Sequence, residues 1–482
     1  MKNILCYLVC LIFSGSTLLS AQTQDRVEYK VDEARNLYNI FPIADQGLII
    51  GFIPVAVVNE ITEYRCIKLG TDFKEQKSVG VPIPAKYNLI TNFTEGHFIY
   101  LMFAVNANKF KQYTLIRLNT TDMNFAQYNG KFKSKFNFKE LQATNGVVYL
   151  GGTMNRKPFI GAIDMHSEPI SITEFIMDNT KKGTKAINAI SIDNATQSCD
   201  LLLKAKNKKE SIYLFKEISN YKFCKEVSIK FPDYKEPNSA KIHFVDSTKK
   251  LIAGTYGSSE AHSALNPSTS AQNEVEGVYF GSVINNKQNF LQLIPFASFQ
   301  NFKMVSESGA TNLNVNFHNF FIRGDETWLF GEVYYPFLID NNIFAGYRWK
   351  GAVVMVLDKT GNLKWENGLD IINGTLSNNT NFKFRFITLP DSGIKIVYSD
   401  NNIIRSKIIY SSKESKNLVD IKVGIDNIDN LAPTTHVDVN GVEYWYSDNY
   451  LVYAVQKINK DASEKDKINK TLFYFNKIKL NE

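Results

Sequence analysis

The stretch Gly146–Met165, GVVYLGGTMNRKPFIGAIDM, places two short apolar runs on either side of a polar step. Neither run spaces its apolar residues as a helix would, and both have the length of a strand. A lone hairpin buries too little to be stable in water. The question is therefore whether the unit recurs.

It recurs along the whole chain. Paired runs of the same kind begin at Gly47 (GLIIGFIPV, then EYRCIKLG), His97 (HFIYLMFAV, then QYTLIRLN), Asp200, Lys250, Thr327, Gly393 and Tyr450 (YLVYAVQKI, then TLFYFNKIKL). Successive starts lie 50, 49, 54, 50, 77, 66 and 57 residues apart. The long intervals contain insertions between the paired runs, at about 258–276 and 336–350. A shorter run precedes and another follows each pair, as SAKIHFVDSTKK and QNFLQLIPFASF do around the fifth. Four antiparallel strands per unit of about 50 residues is the pattern of a propeller blade, whereas solenoid repeats are shorter or helical. The sequence predicts an all-β chain: a single β-propeller of eight, alternatively seven, four-stranded antiparallel blades. The last unit ends soon after TLFYFNKIKL and lacks a fourth strand, while DRVEYKVD (Asp25–Asp32) has strand chemistry and no partner in the first unit. Pairing of that N-terminal segment onto the last blade would close the ring and remove two open edges.

The first 21 residues read as a signal peptide rather than as fold. Lys2 precedes an apolar run from Ile4 to Phe13, and small residues lead to Ala21. Cleavage there leaves a 22–482 propeller domain. No later segment approaches the roughly 20 unbroken apolar residues of a membrane-spanning helix. Three cysteines remain, Cys66, Cys199 and Cys224, with no Cys-x-x-Cys or Cys/His cluster. In a hairpin-ordered blade Cys199 opens the second strand and Cys224 the fourth. Strands two apart lie about 9–10 Å from each other, too far for a disulfide, so free buried thiols are expected. The net charge is +7, but Lys residues are spread among acids, and no basic stripe with base-reading elements appears. Nucleic-acid binding is not expected.

No phosphate-binding, zinc-protease, nucleophile-elbow or EF-hand motif occurs, and the six histidines are scattered over separate units. No cofactor, metal or catalytic residue is assigned, and the chain leans away from an enzyme. Asp358, Thr360 and Asn362 offer oxygens in the manner of a calcium loop, but a Gly-containing hairpin turn explains Asp-Lys-Thr-Gly-Asn more simply. Arg323-Gly324-Asp325 reads as a polar turn. One strand breaks the apolar pattern: in TWLFGEVYYP, period two puts Trp328, Phe330, Glu332 and Tyr334 on one face. A carboxylate there needs a partner, and Arg348 in the adjoining insert is the candidate. One reading is a structural Glu–Arg pair. The other is an aromatic-walled partner-binding patch of Glu332, Tyr334, Tyr335, Tyr347, Arg348 and Trp349, since long loops on rigid scaffolds commonly carry binding.

The segments FGEVYYPFL, FAGYRWKGAVVMVLDKTGNLKWEN and YWYSDNYLVYAVQKI are similar to those of secreted, uncharacterised propeller proteins of the Bacteroidota. The resemblance is structural and carries over no catalytic residue. It implies a periplasmic protein (alternatively extracellular), monomeric on its own, that binds an envelope or outer-membrane protein complex. The type 9 secretion machinery, with its periplasmic plug protein, is the specific form of that expectation. The alternative is a glycan-binding or glycan-active propeller working at the axial mouth.

Overall fold

The computed structural model describes residues 26–480 apart from short internal stretches, the longest at 259–274, 302–312, 423–433 and 459–469. Regular structure among the described residues is almost entirely strand, and no helix among them is long and apolar enough to cross a membrane. The signal-peptide segment and the 258–276 insert fall largely outside the described residues.

The strands form a succession of antiparallel meanders in chain order. The first sheet comprises Asn39–Pro42, Leu48–Phe52, Ile61–Leu69 and Glu75–Pro84. A seven-stranded second sheet runs from Asn88–Glu95 to Ser171–Ile176, and the third from Thr184–Asp193 to Lys222–Lys230. The fourth centres on Lys249–Ser258 and Val275–Ile284, and the fifth on Glu326–Ile339 and Ile343–Leu357. The sixth runs from Phe384–Thr388 to Lys416–Lys422. In the last sheet Thr434–Tyr446, Asn449–Ile458 and Lys470–Lys479 are joined by Arg26–Lys30, which pairs antiparallel with residues 472–476. The N-terminal strand thus completes the last sheet, as its unpaired strand chemistry implies.

Alternation along each strand explains how the sheets stack. Leu201 and Leu203 pack toward Tyr149 and Ile160 of the second sheet, while Leu202 between them packs toward Ile252 and Tyr279 of the fourth. Ile99, Leu101 and Phe103 face the first sheet, whereas Tyr100 and Met102 face Val148 and Leu150. The same alternation links the fourth sheet to the fifth, the fifth to the sixth and the sixth to the last. Phe473 and Phe475 then pack on Leu48, Ile50 and Phe52 of the first sheet, which closes the ring. A ring of antiparallel sheets stacked face to face is a β-propeller. Each fully buried Leu, Ile or Phe contributes about 1.5–3 kcal/mol, and only stacked neighbours bury both faces.

The ring seam is reinforced by side chains. Trp445 donates its indole N–H to the Gly47 carbonyl at 2.6 Å and stacks on Phe73, with ring centroids 5.5 Å apart. Lys477 Nζ donates to the Thr71 carbonyl at 3.1 Å.

The second sheet departs from the expected separate blades. Strand Phe125–Thr144 is 20 residues long; its first part pairs with Lys109–Asn119 and its second with Val147–Met154. Phe136 and Asn137 pair with both neighbours at once. The reason lies in NGKFKSKFNFKE: alternating polar and aromatic residues with no breaker after Gly130 carry one strand through the crossover. Phe132 and Phe136, 4.7 Å apart by ring centroid, fill the wedge between the two halves together with Phe110 and Phe159.

Cys66 and Cys199 are buried and free, and the strand carrying Cys199 is separated from that carrying Cys224 by Glu210–Ser219. The side chain of Cys224 lies outside the described residues.

Candidate functional site

Period two holds for TWLFGEVYYP: Trp328, Phe330 and Tyr334 face the sixth sheet, and Glu332 is fully buried among them. Its partner is not Arg348. Glu332 Oε1 accepts from His318 Nε2 at 2.8 Å and from the Phe384 backbone N–H at 2.9 Å. Oε2 accepts from Trp349 Nε1 at 2.9 Å, and the Lys383 N–H reaches both oxygens at 2.9 Å. The donors from Lys383 and Phe384 belong to the chain entering the first strand of the next sheet. The carboxylate therefore fastens one sheet to the next.

Arg348 is turned away by strand geometry. It stands opposite Tyr335 in the register, one residue from the Tyr334–Trp349 pair, so its side chain points to the other face. There its guanidinium lies 3.8 Å from the centre of the Phe337 ring. Tyr335 packs against the cluster shared with the fourth sheet, whereas Tyr334, Tyr347 and Trp349 belong to the cluster shared with the sixth. The six residues expected to form one patch are thus divided between two faces. Glu332 and Trp349 are buried, and the other four are half-buried. The 336–350 insert is also more regular than a loop. It prolongs both central strands of the fifth sheet into a hairpin arm whose ladder reaches the Ile339–Ile343 pair.

The same device recurs. Glu140 of the second sheet accepts the Ile190 N–H of the third, and within the fused second sheet Glu95 of its first half accepts the Asn145 N–H of its second; each donor is 50 residues downstream, as the Lys383 N–H is 51 beyond Glu332. Buried lysines act similarly. Lys250 Nζ lies 2.7 Å from Asp200 and 2.9 Å from Glu217 across the third and fourth sheets. Lys68 and Lys395 each donate to a carbonyl of the adjoining sheet, Thr120 and Leu480, at 2.9 Å. Sequence reasoning missed His318, Lys383 and Phe384 as partners of Glu332, because two of the three act through backbone N–H groups that any residue carries.

The turns expected at Asp358 and Arg323 are present. Asp358 Oδ1 accepts from Thr360 N, Thr360 Oγ1 and Asn362 N, and these donors, the Thr360 hydroxyl first, hold its carboxyl below the usual carboxylate range. Arg323 pairs with Glu326 across a two-residue hairpin with Gly324 at φ +58°.

An open surface lies elsewhere, where the first sheet meets the second. Residues Val55–Ile61 form the tip between two strands of the first sheet, and their aliphatic side chains face solvent: Val55 is 57%, Val57 48%, Val58 69% and Ile61 53% exposed. The tip is ordered by its backbone. Val58 and Ile61 exchange N–H···O bonds of 2.9 and 3.0 Å around Asn59 and Glu60, both with positive φ, and Thr62 Oγ1 donates to the Ala56 carbonyl. Beside the tip lies a cleft of about 700 Å³, with Val57 and Glu60 on one wall, Lys86 and Tyr87 between, and Gln112, Asn129 and Lys131 opposite.

The sequence matches no protein-family model and no curated protein. Among solved structures it is similar to polysaccharide lyase Uly1, with 8% identity and a TM-score of 0.38 over 81% of this chain and 90% of that one. It is similar to the β-propeller domain of the Trilobed protease from Pyrococcus furiosus, with 9% identity and a TM-score of 0.35 over 82% and 96% of the two chains. It is also similar to the periplasmic gluconolactonase PpgL of Pseudomonas aeruginosa, with 8% identity and a TM-score of 0.38 over 81% and 97%.

Proposed function

We propose that this chain is an exported, eight-bladed propeller that serves as a non-enzymatic docking platform for an envelope protein complex. The count of eight takes the fused sheet as two blades sharing strand Phe125–Thr144, since each half then has four strands. The observation that carries the docking reading is the aliphatic tip Val55–Ile61. Residues of this kind are ordinarily buried, and here a hydrogen-bonded turn holds them out in solvent. A preordered apolar anchor binds a partner without the entropy cost of ordering itself first.

Other features support the same end of the ring. The tip joins the second and third strands of its sheet, and the hairpin arm of the fifth sheet joins the same two positions. In a ring of like-ordered sheets equivalent connections leave on the same side. Glu332, the carboxylate that breaks the apolar pattern in the sequence, is buried between sheets with its oxygens taken up by hydrogen bonds that fasten the packing. The N-terminal signal points to export, and the sequence resemblance to Bacteroidota propellers points to the type 9 secretion machinery as the complex.

The test is affinity capture from detergent-solubilised envelope with wild-type protein and the Val57→Asp/Val58→Asp variant. The expected result is a membrane protein partner retained by the wild type and lost by the variant. An identical set of captured proteins, or none with either bait, defeats the reading.

A further inference from the structure

Lys86 and Lys131 line the cleft beside the tip, and four more lysines lie on the two strands that continue from it. On strand Phe125–Thr144, Lys131, Lys133 and Lys135 are exposed on one face, while Phe132 and Phe136 between and beyond them point into the core. On the neighbouring strand, Lys109 and Lys111 are exposed on either side of buried Phe110. The register brings the two rows together, with Gln112 opposite Lys131 and Phe110 opposite Phe136. Residues 132–135 have no partners on the Lys109–Asn119 strand, where the single residue Lys111 stands against all four, so the register is broken by a bulge next to the Gln112–Lys131 pair that lines the cleft. Lys86, in the cleft wall, is exposed as well. Among the described residues none of these six lysines forms an ion pair, and Glu60 is the one acid among the cleft-lining residues.

Like charges so close repel one another, which gives stability no reason to gather them. An oppositely charged partner removes that repulsion and gains steering toward the site. The apolar tip stands on the opposite wall of the same cleft, so a ligand reaching both must carry acidic and aliphatic groups together. A concave cleft favours an inserted segment over a flat lipid surface, and a segment can place both kinds of group within one stretch.

We propose that this end of the ring binds an acidic, aliphatic segment of a protein partner. Its carboxylates lie on Lys131, Lys133, Lys135, Lys109 and Lys111, and its aliphatic side chains lie against Val57 and Val58 at the cleft mouth. The proposal rests on the docking reading above and adds the chemistry of the partner.

The experiment selects a random peptide library on the immobilised full chain and measures selected peptides by fluorescence anisotropy. Selected peptides are expected to be enriched in Asp and Glu together with Leu, Ile or Val. Their affinity should fall about tenfold or more for Lys131→Glu/Lys133→Glu/Lys135→Glu, and severalfold for wild type when NaCl rises from about 50 to about 300 mM. All three positions are exposed, and an unchanged melting temperature for the triple variant shows that folding is intact. Selected peptides without acid enrichment, or equal binding to the triple variant, overturn the proposal. So does lysine-dependent binding of phosphatidylglycerol vesicles without selection of acidic peptides, which makes the surface a lipid site. If peptides fail while the captured envelope partner is still lost with Val57→Asp/Val58→Asp, the docking reading stands and only the acidic chemistry falls. If both fail, the docking reading falls too.

Discussion

Glu332 lies 52 residues before Phe384 in the chain, and its Oε1 accepts the Phe384 backbone N–H at 2.9 Å across the junction of two sheets. With His318, Trp349 and Lys383 also donating, the buried carboxylate has its hydrogen bonds satisfied without a cationic arginine. Removing it strands several buried donors at once. Glu332→Ala is therefore expected to cost about 3–5 kcal/mol of unfolding free energy, read by denaturant titration. Arg348→Met, which keeps an apolar stem over Phe337, should cost under about 1 kcal/mol. Comparable losses for both variants would restore Arg348 as the partner of Glu332.

Closure of the ring depends on a residue near the other end of the chain. Trp445 is buried, bonded to the Gly47 carbonyl and stacked on Phe73. Trp445→Ala opens a cavity at the seam and leaves that carbonyl without the indole donor, for an expected loss of about 3–5 kcal/mol. Hydrogen exchange should then accelerate first in Leu48–Phe52 and Lys470–Lys479, the strands on the two sides of the seam. Uniform acceleration around the ring would show that the seam is no weaker than the other junctions.

The ring is legible in the sequence because its logic is local. Leu201, Leu202 and Leu203 form an unbroken apolar run, and such a run in a strand means burial on both faces. The N-terminal strand was legible because the last unit lacked one. Glu332 was legible as an anomaly, and period two placed it on the correct face. Its partners were not, since strand registers that bring Lys383 and Phe384 to it are set by packing of whole sheets. Arg348 shows the converse error: nearness in sequence suggested a pair, but one residue of offset put it on the opposite face. The Val55–Ile61 tip escaped because its valines read as ordinary strand residues, and only the turn at Asn59 and Glu60 reveals that they lie outside the core.

The thiols offer a chemical check on the strand order. Burial pushes the Cys66 thiol up to about 12, and burial beside Asp200 and Glu140 pushes Cys199 up as well. A raised pKa keeps the thiol protonated, so both groups should stay unreactive through pH 9 in the folded state. In protein lacking residues 1–21 and carrying Cys224→Ser, iodoacetamide should label neither cysteine until denaturant unfolds the ring. Native labelling at Cys199 would mean that its strand is not enclosed between neighbouring sheets.

The shared strand of the second sheet makes the strongest mechanical demand. Asn137 pairs with Lys109 on one side and Thr153 on the other, so its backbone is held in two ladders. Ser134 lies in the bulge and pairs with neither ladder. Proline removes an N–H and fits poorly inside a sheet. Asn137→Pro is accordingly expected to cost about 3 kcal/mol or more, with the strands at 109–119 and 147–154 losing hydrogen-exchange protection together. Ser134→Ala, on the same strand three residues away, should leave both protected. Loss of protection on one side of Asn137 alone would mean that the two halves are separate sheets in solution and that the long strand does not couple them.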